Sequence, residues 1–215
     1  MTRAQLMGMA SVVIVGLLLA GALVVGIRTA MDEDEPIVVE LSAYPWSVEP
    51  EDAVRWSDLM VIGRVDAAGE DRWTTDDGNE PSEFRRTGNS EGHFIYRTAT
   101  VAIEGVIGGS YTGKTIKVTV VGGRRRGVEV RPEGFGPELQ PGARVMLFLT
   151  RPAAEETWEF GENWTRIQTY WLDEEAGVAS AYLLPSIPVS ELKARVDAVI
   201  DSLGVAARER AHPLR

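Results

Sequence analysis

Ser57-Asp58-Leu59-Met60-Val61-Ile62-Gly63-Arg64-Val65 is the stretch on which the fold turns. Just upstream, Pro50 is followed by Glu51 and Asp52, an order suited to the first turn of a helix. The missing N–H of proline costs nothing there, and the carboxylates face the positive end of the helix dipole. A short helix is expected over about 51–57, with Glu51 and Arg55 spaced to pair on one face. At Leu59 the period changes. Leu59 to Val65 is compact and β-branched, and Gly63 stands where a strand could bend.

Downstream the strand signal repeats. Residues 67 to about 92 are polar and turn-rich, which reads as a long loop or a hairpin tip. From Phe94 to Val106, Ala99, Val101 and Ile103 share one face, while Thr98 and Thr100 share the other. Ile116, Val118 and Val120 alternate with Lys117 and Thr119, and Gly122-Gly123 closes that strand. Pro141-Gly142 turns the chain into Arg144-Val145-Met146-Leu147-Phe148-Leu149. Two more strands are expected at about 164–172 and 178–184, joined by a turn from Asp173 to Gly177. Leu192, Val196, Val199, Ile200 and Leu203 then recur at helical spacing, with Ser190 as N-cap and Gly204 as the stop. Residues 205–215 read as a polar tail. Five or more short strands between two helices imply a small closed or partly open β-barrel.

Four segments carry a resemblance: Ser57–Val65, Val101–Val106, Ile116–Val120 and Pro141–Leu149. In order and spacing they are similar to bacterial extracytoplasmic OB-fold domains of the type related to netrin and the tissue inhibitors of metalloproteinases. The resemblance covers about residues 51–203 and implies an OB-like barrel. Those inhibitors act through an amino-terminal cysteine, and this chain has no cysteine. Protease inhibition is therefore not implied, and no functional residue of the family maps onto the chain.

Leu6 to Ile27 is a run of twenty-two residues without a charge. As a helix it would reach roughly 33 Å, enough to cross a hydrocarbon core. Its Leu, Ile and Val residues favour insertion by about 4–7 kcal/mol in sum. A cleaved secretory signal is the alternative. Signal peptides have a shorter apolar core, and the A-x-A pattern at Ala20-Gly21-Ala22 lies inside the run. The run is taken as an uncleaved single-pass anchor. Arg3 and the amino terminus, against Arg28 alone, place residues 1–5 in the cytoplasm and the rest outside it. Residues 28–50, with the acidic run Asp32 to Glu35 and prolines at 36, 45 and 50, read as a stalk. Residues 51–204 form the folded domain.

A net charge of −10 argues against nucleic-acid and anionic-lipid partners, which need a basic face. Gly108-Gly109-Ser110-Tyr111-Thr112-Gly113-Lys114-Thr115 matches the P-loop expression. A P-loop needs a helix starting at its Lys-Thr, whereas Ile116 to Val121 alternate like a strand. The segment is expected to be a turn between strands. Asp71, Asp76, Asp77, Asn79 and Glu80 offer oxygen ligands, but EF-hand spacing fails and a solvated acidic loop is expected. His93 and His212 lie too far apart in sequence to support a metal cluster. No cofactor is expected.

Two clusters remain as candidate sites. Trp158, Phe160, Trp164, Tyr170 and Trp171 concentrate aromatic surface in fourteen residues. Trp158, Trp164, Tyr170 and Trp171 would be the ligand-binding rings, since OB barrels use rings as stacking platforms for sugars or single strands. Packing inside a hairpin competes with that reading. Arg124-Arg125-Arg126 is the basic cluster, expected on an exposed loop and available to an acidic partner. Asn163-Trp164-Thr165 is a glycosylation sequon by pattern. The chain thus reads as mainly β: an N-terminal transmembrane helix, a small OB-like β-barrel outside the cytoplasm, and a C-terminal amphipathic helix. It would act as an interaction or binding module toward a protein or a cell-envelope glycan. An accessory subunit of a membrane complex is the alternative, and a surface enzyme is a weaker one.

Overall fold

A computed structural model of the chain describes residues 36–42, 48–88, 90, 92–133, 138–151 and 163–203. The expected anchor (6–27), the segment 28–35, Trp158, Phe160, His212 and the tail lie outside the described residues. Among the described residues no helix is long and apolar enough to cross a membrane. The described chain is mainly β with a C-terminal helix.

Eleven strands and three helices are described. In chain order they are β1 (Ile37–Ser42), α1 (Pro50–Trp56), β2 (Leu59–Ala68), β3 (Arg72–Trp73), α2 (Phe84–Thr87), β4 (Ile95–Gly108), β5 (Thr115–Val121), β6 (Gly123–Arg125), β7 (Val128–Glu133), β8 (Arg144–Thr150), β9 (Trp164–Asp173), β10 (Val178–Ala181), β11 (Leu184–Pro188) and α3 (Val189–Leu203). The larger sheet runs β11-β10-β9-β5-β4-β2-β8, and β3 pairs with β4 at its side. β8 also pairs with β9, so it has β2 on one flank and β9 on the other. β5 and β9 run parallel over two residue pairs, Val118 with Trp164 and Thr119 with Thr165. A separate three-stranded sheet has the order β1-β7-β6, with β1 parallel to β7.

The solid apolar run in β2 has a simple cause: both of its faces are buried. Leu59, Val61 and Val65 enter one core with Val101, Ile116 and Val118. Met60 and Ile62 enter a second core on the opposite face, under Ala53 and Val54 of α1 and Leu192 and Val196 of α3. β8 divides in the same way, with Val145, Leu147 and Leu149 on one side and Met146 and Phe148 on the other. Gly63 bends β2 where expected. The ladder to β4 slips at Ile62/Gly63, and a Cβ on Gly63 would collide with the Ala102 carbonyl oxygen. A third core joins the small sheet to the β3–α2 region through Val39, Val128, Val130, Ile95, Trp73 and Phe84. The Trp73 and Phe84 rings lie 5.1 Å apart.

Several sequence expectations need correction. Ile37–Ser42, assigned to the stalk, is a strand with Val39 buried against β7. The loop expected over 67–92 holds β3 and the single turn α2. The single strand expected over 178–184 is a hairpin: β10 ends at Ala181, Tyr182-Leu183 turn, and β11 runs from Leu184 to Pro188. α3 begins at Val189, so Ser190 sits within the first turn and does not cap it. Arg55 pairs with Asp52 at 2.8 Å, three residues back, because Glu51 is held by Arg195 of α3.

Candidate functional site

The aromatic candidates do not form one face. Side chains on a strand alternate, so Tyr170 and Trp171 of β9 point to opposite sides. Tyr170 lies in the core beneath α1 and α3, 1% exposed, its ring 6.0 Å from Phe148. Burial pushes its phenol well above the ordinary range, and the carboxylate of Glu49 adds to the shift. Its hydroxyl has no hydrogen-bond partner among the described residues. Trp164 is buried in the other core, edge-on to Tyr111 at 6.3 Å. The Arg151 guanidinium lies 4.9 Å from the Trp164 ring, a cation–π contact that further closes it off. Asn163 of the sequon donates its amide N–H to the Thr98 hydroxyl at 2.9 Å. Tyr170 and Trp164 are core residues. Trp171, half-buried, reaches an open surface.

The arginine cluster is not a loop. Arg124 and Arg125 belong to β6, and Arg126, at φ 48°, forms the tip of the β6–β7 hairpin. Asp71 holds this hairpin down. Its carboxylate accepts the Arg124 backbone N–H, its carbonyl accepts from the Arg125 guanidinium, and Arg97 pairs with it at 2.8 Å. A Cβ at Gly123 (φ 140°) would collide with that carboxylate, so the contact requires glycine. Arg126 contributes its carbonyl, which accepts from Arg85. Arg125 is therefore structural, whereas Arg124 and Arg126 keep exposed side chains.

Residues 109–114 connect β4 to β5, and no helix follows Lys114. The Lys114 carbonyl accepts the Ile103 N–H, and the Tyr111 hydroxyl donates to the Thr115 carbonyl at 2.8 Å. This is hairpin geometry, with no N–H nest for phosphate. In the acidic segment, Asp77 accepts from the backbone and side-chain N–H groups of Asn79 and from Thr75, which holds its carboxyl below the usual range. Glu80 pairs with Arg85. Among the described residues no group of three or more His, Cys, Asp or Glu could hold a metal. His93 Nδ1 lies 3.2 Å from the Thr74 hydroxyl.

Among the described residues four large apolar side chains are exposed, Trp56, Val106, Tyr182 and Leu183, and the last two sit together at the β10–β11 hairpin. Its two-residue turn is Tyr182-Leu183, 37% and 58% exposed. Leu183 has φ 59°, a left-handed conformation that disfavours any side chain with a Cβ. Trp171, Ser180, Ala181, Tyr182 and Leu183 line an open, mostly apolar depression of about 380 Å³. The sequence held a signal for it. From Ala176 to Ser190 the chain carries no charge for fifteen residues, in a protein whose residues are 25% charged. The turn itself was hidden, because neither Tyr nor Leu is a turn-forming residue.

A second unanticipated feature joins the two helices. Arg195 donates to both Glu51 oxygens at 2.7 Å and to Glu49 at 2.9 Å. Those hydrogen bonds hold the Glu51 carboxyl below its usual range. Scanned against protein-family models and against curated protein sequences, the chain matches none.

Proposed function

We propose that the chain is a single-pass membrane-anchored protein whose domain outside the cytoplasm is an OB-like binding module. Two features support the architecture: the uncharged run 6–27, and a strand order in which β9, β5, β4, β2 and β8 pair in sequence while β8 also pairs with β9. The parallel pair β5–β9 joins the two halves of that path and is compatible with an OB-like barrel. One observation carries the binding role. Two of the four exposed large apolar side chains among the described residues, Tyr182 and Leu183, sit together at the β10–β11 hairpin beside a depression, in a stretch of the chain that carries no charge.

The test is alkaline carbonate extraction of cells expressing the full chain, then purification in mild detergent. The protein should stay in the membrane fraction with its N-terminal Met1 or Thr2 intact. It should also bring down a partner in near-equal amount, and Leu183→Gly should reduce that recovery. A mature N-terminus at Leu23 or Met31 would make it a secreted domain and overturn the anchor.

A further inference from the structure

We infer that the open groove lined by Glu70, Arg72, Asp77, Gly78, Thr98 and Arg125 is a ligand site for a hydroxylated monocarboxylate, the chemistry of a uronic acid, with Arg72 as the group that takes the carboxylate. The site shares no residue with the β10–β11 surface and does not depend on the anchor.

The segment after β3 turns back on itself. The Gly78 N–H donates to the Thr75 carbonyl at 2.9 Å, and the Trp73 N–H donates to the Gly78 carbonyl at 3.1 Å. Gly78 closes that turn at φ 70°, a left-handed conformation that suits glycine. It comes up against the head of Arg72, whose Nε and Nη2 lie 3.0 Å from where a Cβ would stand. The same guanidinium carbon lies 5.9 Å from the centre of the Tyr96 ring. Both contacts position the head without using one of its N–H groups. Arg64, Arg85, Arg97, Arg144 and Arg195 each pair with a carboxylate. Arg72 makes no hydrogen bond or ion pair among the described residues, although two carboxylates share its groove. A planar fork of five donors, seated and unspent, matches an incoming carboxylate.

The rest of the lining narrows the ligand. The groove has a volume of about 390 Å³, toward the small end of small-molecule sites. Arg125 brings a second positive charge to its wall, with Nη1 given to the Asp71 carbonyl. Asp77 is held in place by Asn79 and Thr75, while Glu70 has no partner among the described residues. Two guanidinium groups facing two carboxylates carry no net charge, which disfavours a phosphate dianion or a run of acidic side chains. Ionised carboxylates only accept hydrogen bonds, so Glu70 and Asp77 call for O–H donors on the ligand. The Thr98 hydroxyl accepts from Asn163 and keeps its own proton to donate. One carboxylate for Arg72 beside hydroxyls for Glu70 and Asp77 is the pattern of a sugar acid.

The test is calorimetric titration of the full chain in mild detergent with glucuronate, glucose, acetate, inorganic phosphate and triglutamate in turn. Glucuronate should bind about tenfold or more tighter than each of the others, and Arg72→Gln should weaken it about tenfold or more. Lys117→Gln, which removes an exposed cation that does not line the groove, should leave binding unchanged. Glu70 is exposed and unpaired, so Glu70→Ala should fold normally and cut the preference for glucuronate over acetate several-fold. A glucuronate-terminated trisaccharide separates two sources of the same chemistry. Tighter binding than free glucuronate assigns the groove to the end of a glycan, and equal or weaker binding assigns it to a free sugar acid. Absence of glucuronate binding, or an equal loss in Lys117→Gln, overturns the inference. Tighter binding of phosphate or triglutamate overturns it in favour of a bare anion or an acidic peptide. An unchanged preference in Glu70→Ala also overturns it, because the hydroxyl groups would then go unrecognised. Each of these failures leaves membrane retention and partner recovery through Leu183 untouched, so the two readings fail separately.

Discussion

Two regions flank β9, and they use their residues in opposite ways. Beneath the helices, Tyr170 and Leu172 are sealed by Leu192 and Val196, and Arg195 locks α3 to the residues at the start of α1 through Glu49 and Glu51. Beside it, the β10–β11 hairpin carries no charge and leaves its two tip side chains partly exposed. One region is organised around what it holds together, and the other around what it presents. Mutations in the first should therefore cost stability, and mutations in the second should cost little or even help.

The sharpest test is Leu192→Ala. Leu192 is fully buried between α3 and the sheet, so the substitution should cost about 2–5 kcal/mol in urea denaturation. A loss under 1 kcal/mol would mean that the helix is a dispensable cover. Arg195→Gln should cost about 1 kcal/mol, since the ion pairs are partly exposed. That cost depends on pH. The Glu51 carboxyl is held below its ordinary value of 4.5, so its contribution is present above that value and is lost as the pH falls through the lowered pKa. Wild type and variant should differ at pH 7 and converge well below pH 4.5, as read by denaturant titrations at each pH. A pH-independent difference would assign the effect to lost packing of the arginine stem.

Leu183→Gly should move the other way. Relief of the left-handed leucine is worth about 1–2 kcal/mol, and the extra chain entropy of glycine returns about 0.5–1. A gain of about 0.5–1 kcal/mol in thermal or chemical unfolding is expected. A loss would show that Leu183 packs in the fold, and the contrast between the regions would collapse. Tyr170→Phe should have the smallest effect, within about 0.5 kcal/mol, because the hydroxyl removed has no partner among the described residues. A loss above 1 kcal/mol would reveal one.

Legibility followed burial. β2, β4, β5 and β8 could be read from the sequence because one or both faces are buried, which writes alternation or a solid apolar run into the residues. β1 could not, because Ile37-Val38-Val39 sits between acidic and proline-rich segments and its partner β7 lies some 90 residues away. β11 was concealed by Pro185 and Pro188, which an end strand tolerates and an inner strand does not. The aromatic cluster misled for a geometric reason. Fourteen residues of sequence looked like one surface, but a strand deals neighbours such as Tyr170 and Trp171 to opposite faces, and the register shift at Ile167 in the β8–β9 ladder puts Trp164 and Tyr170, six residues apart, into different cores. The hairpin tip left a trace in the missing charges, while its turn contradicted the usual residue choice.

The parallel pairing of β1 with β7 has a mechanical side. Its six residue pairs, from Ile37 with Val128 to Ser42 with Glu133, lie side by side along the strand. Tension applied to the chain at Ile37 along the strand axis loads these rungs together, in shear, so they must break at once and not one after another. Because the neighbouring core packs Val39 against Val128 and Val130, the same pull is shared with the Trp73–Phe84 wall. The first described strand is thus a strain-relief fitting: a tug on the leading end of the chain is taken up at the small sheet before it reaches the strands that carry α1 and α3.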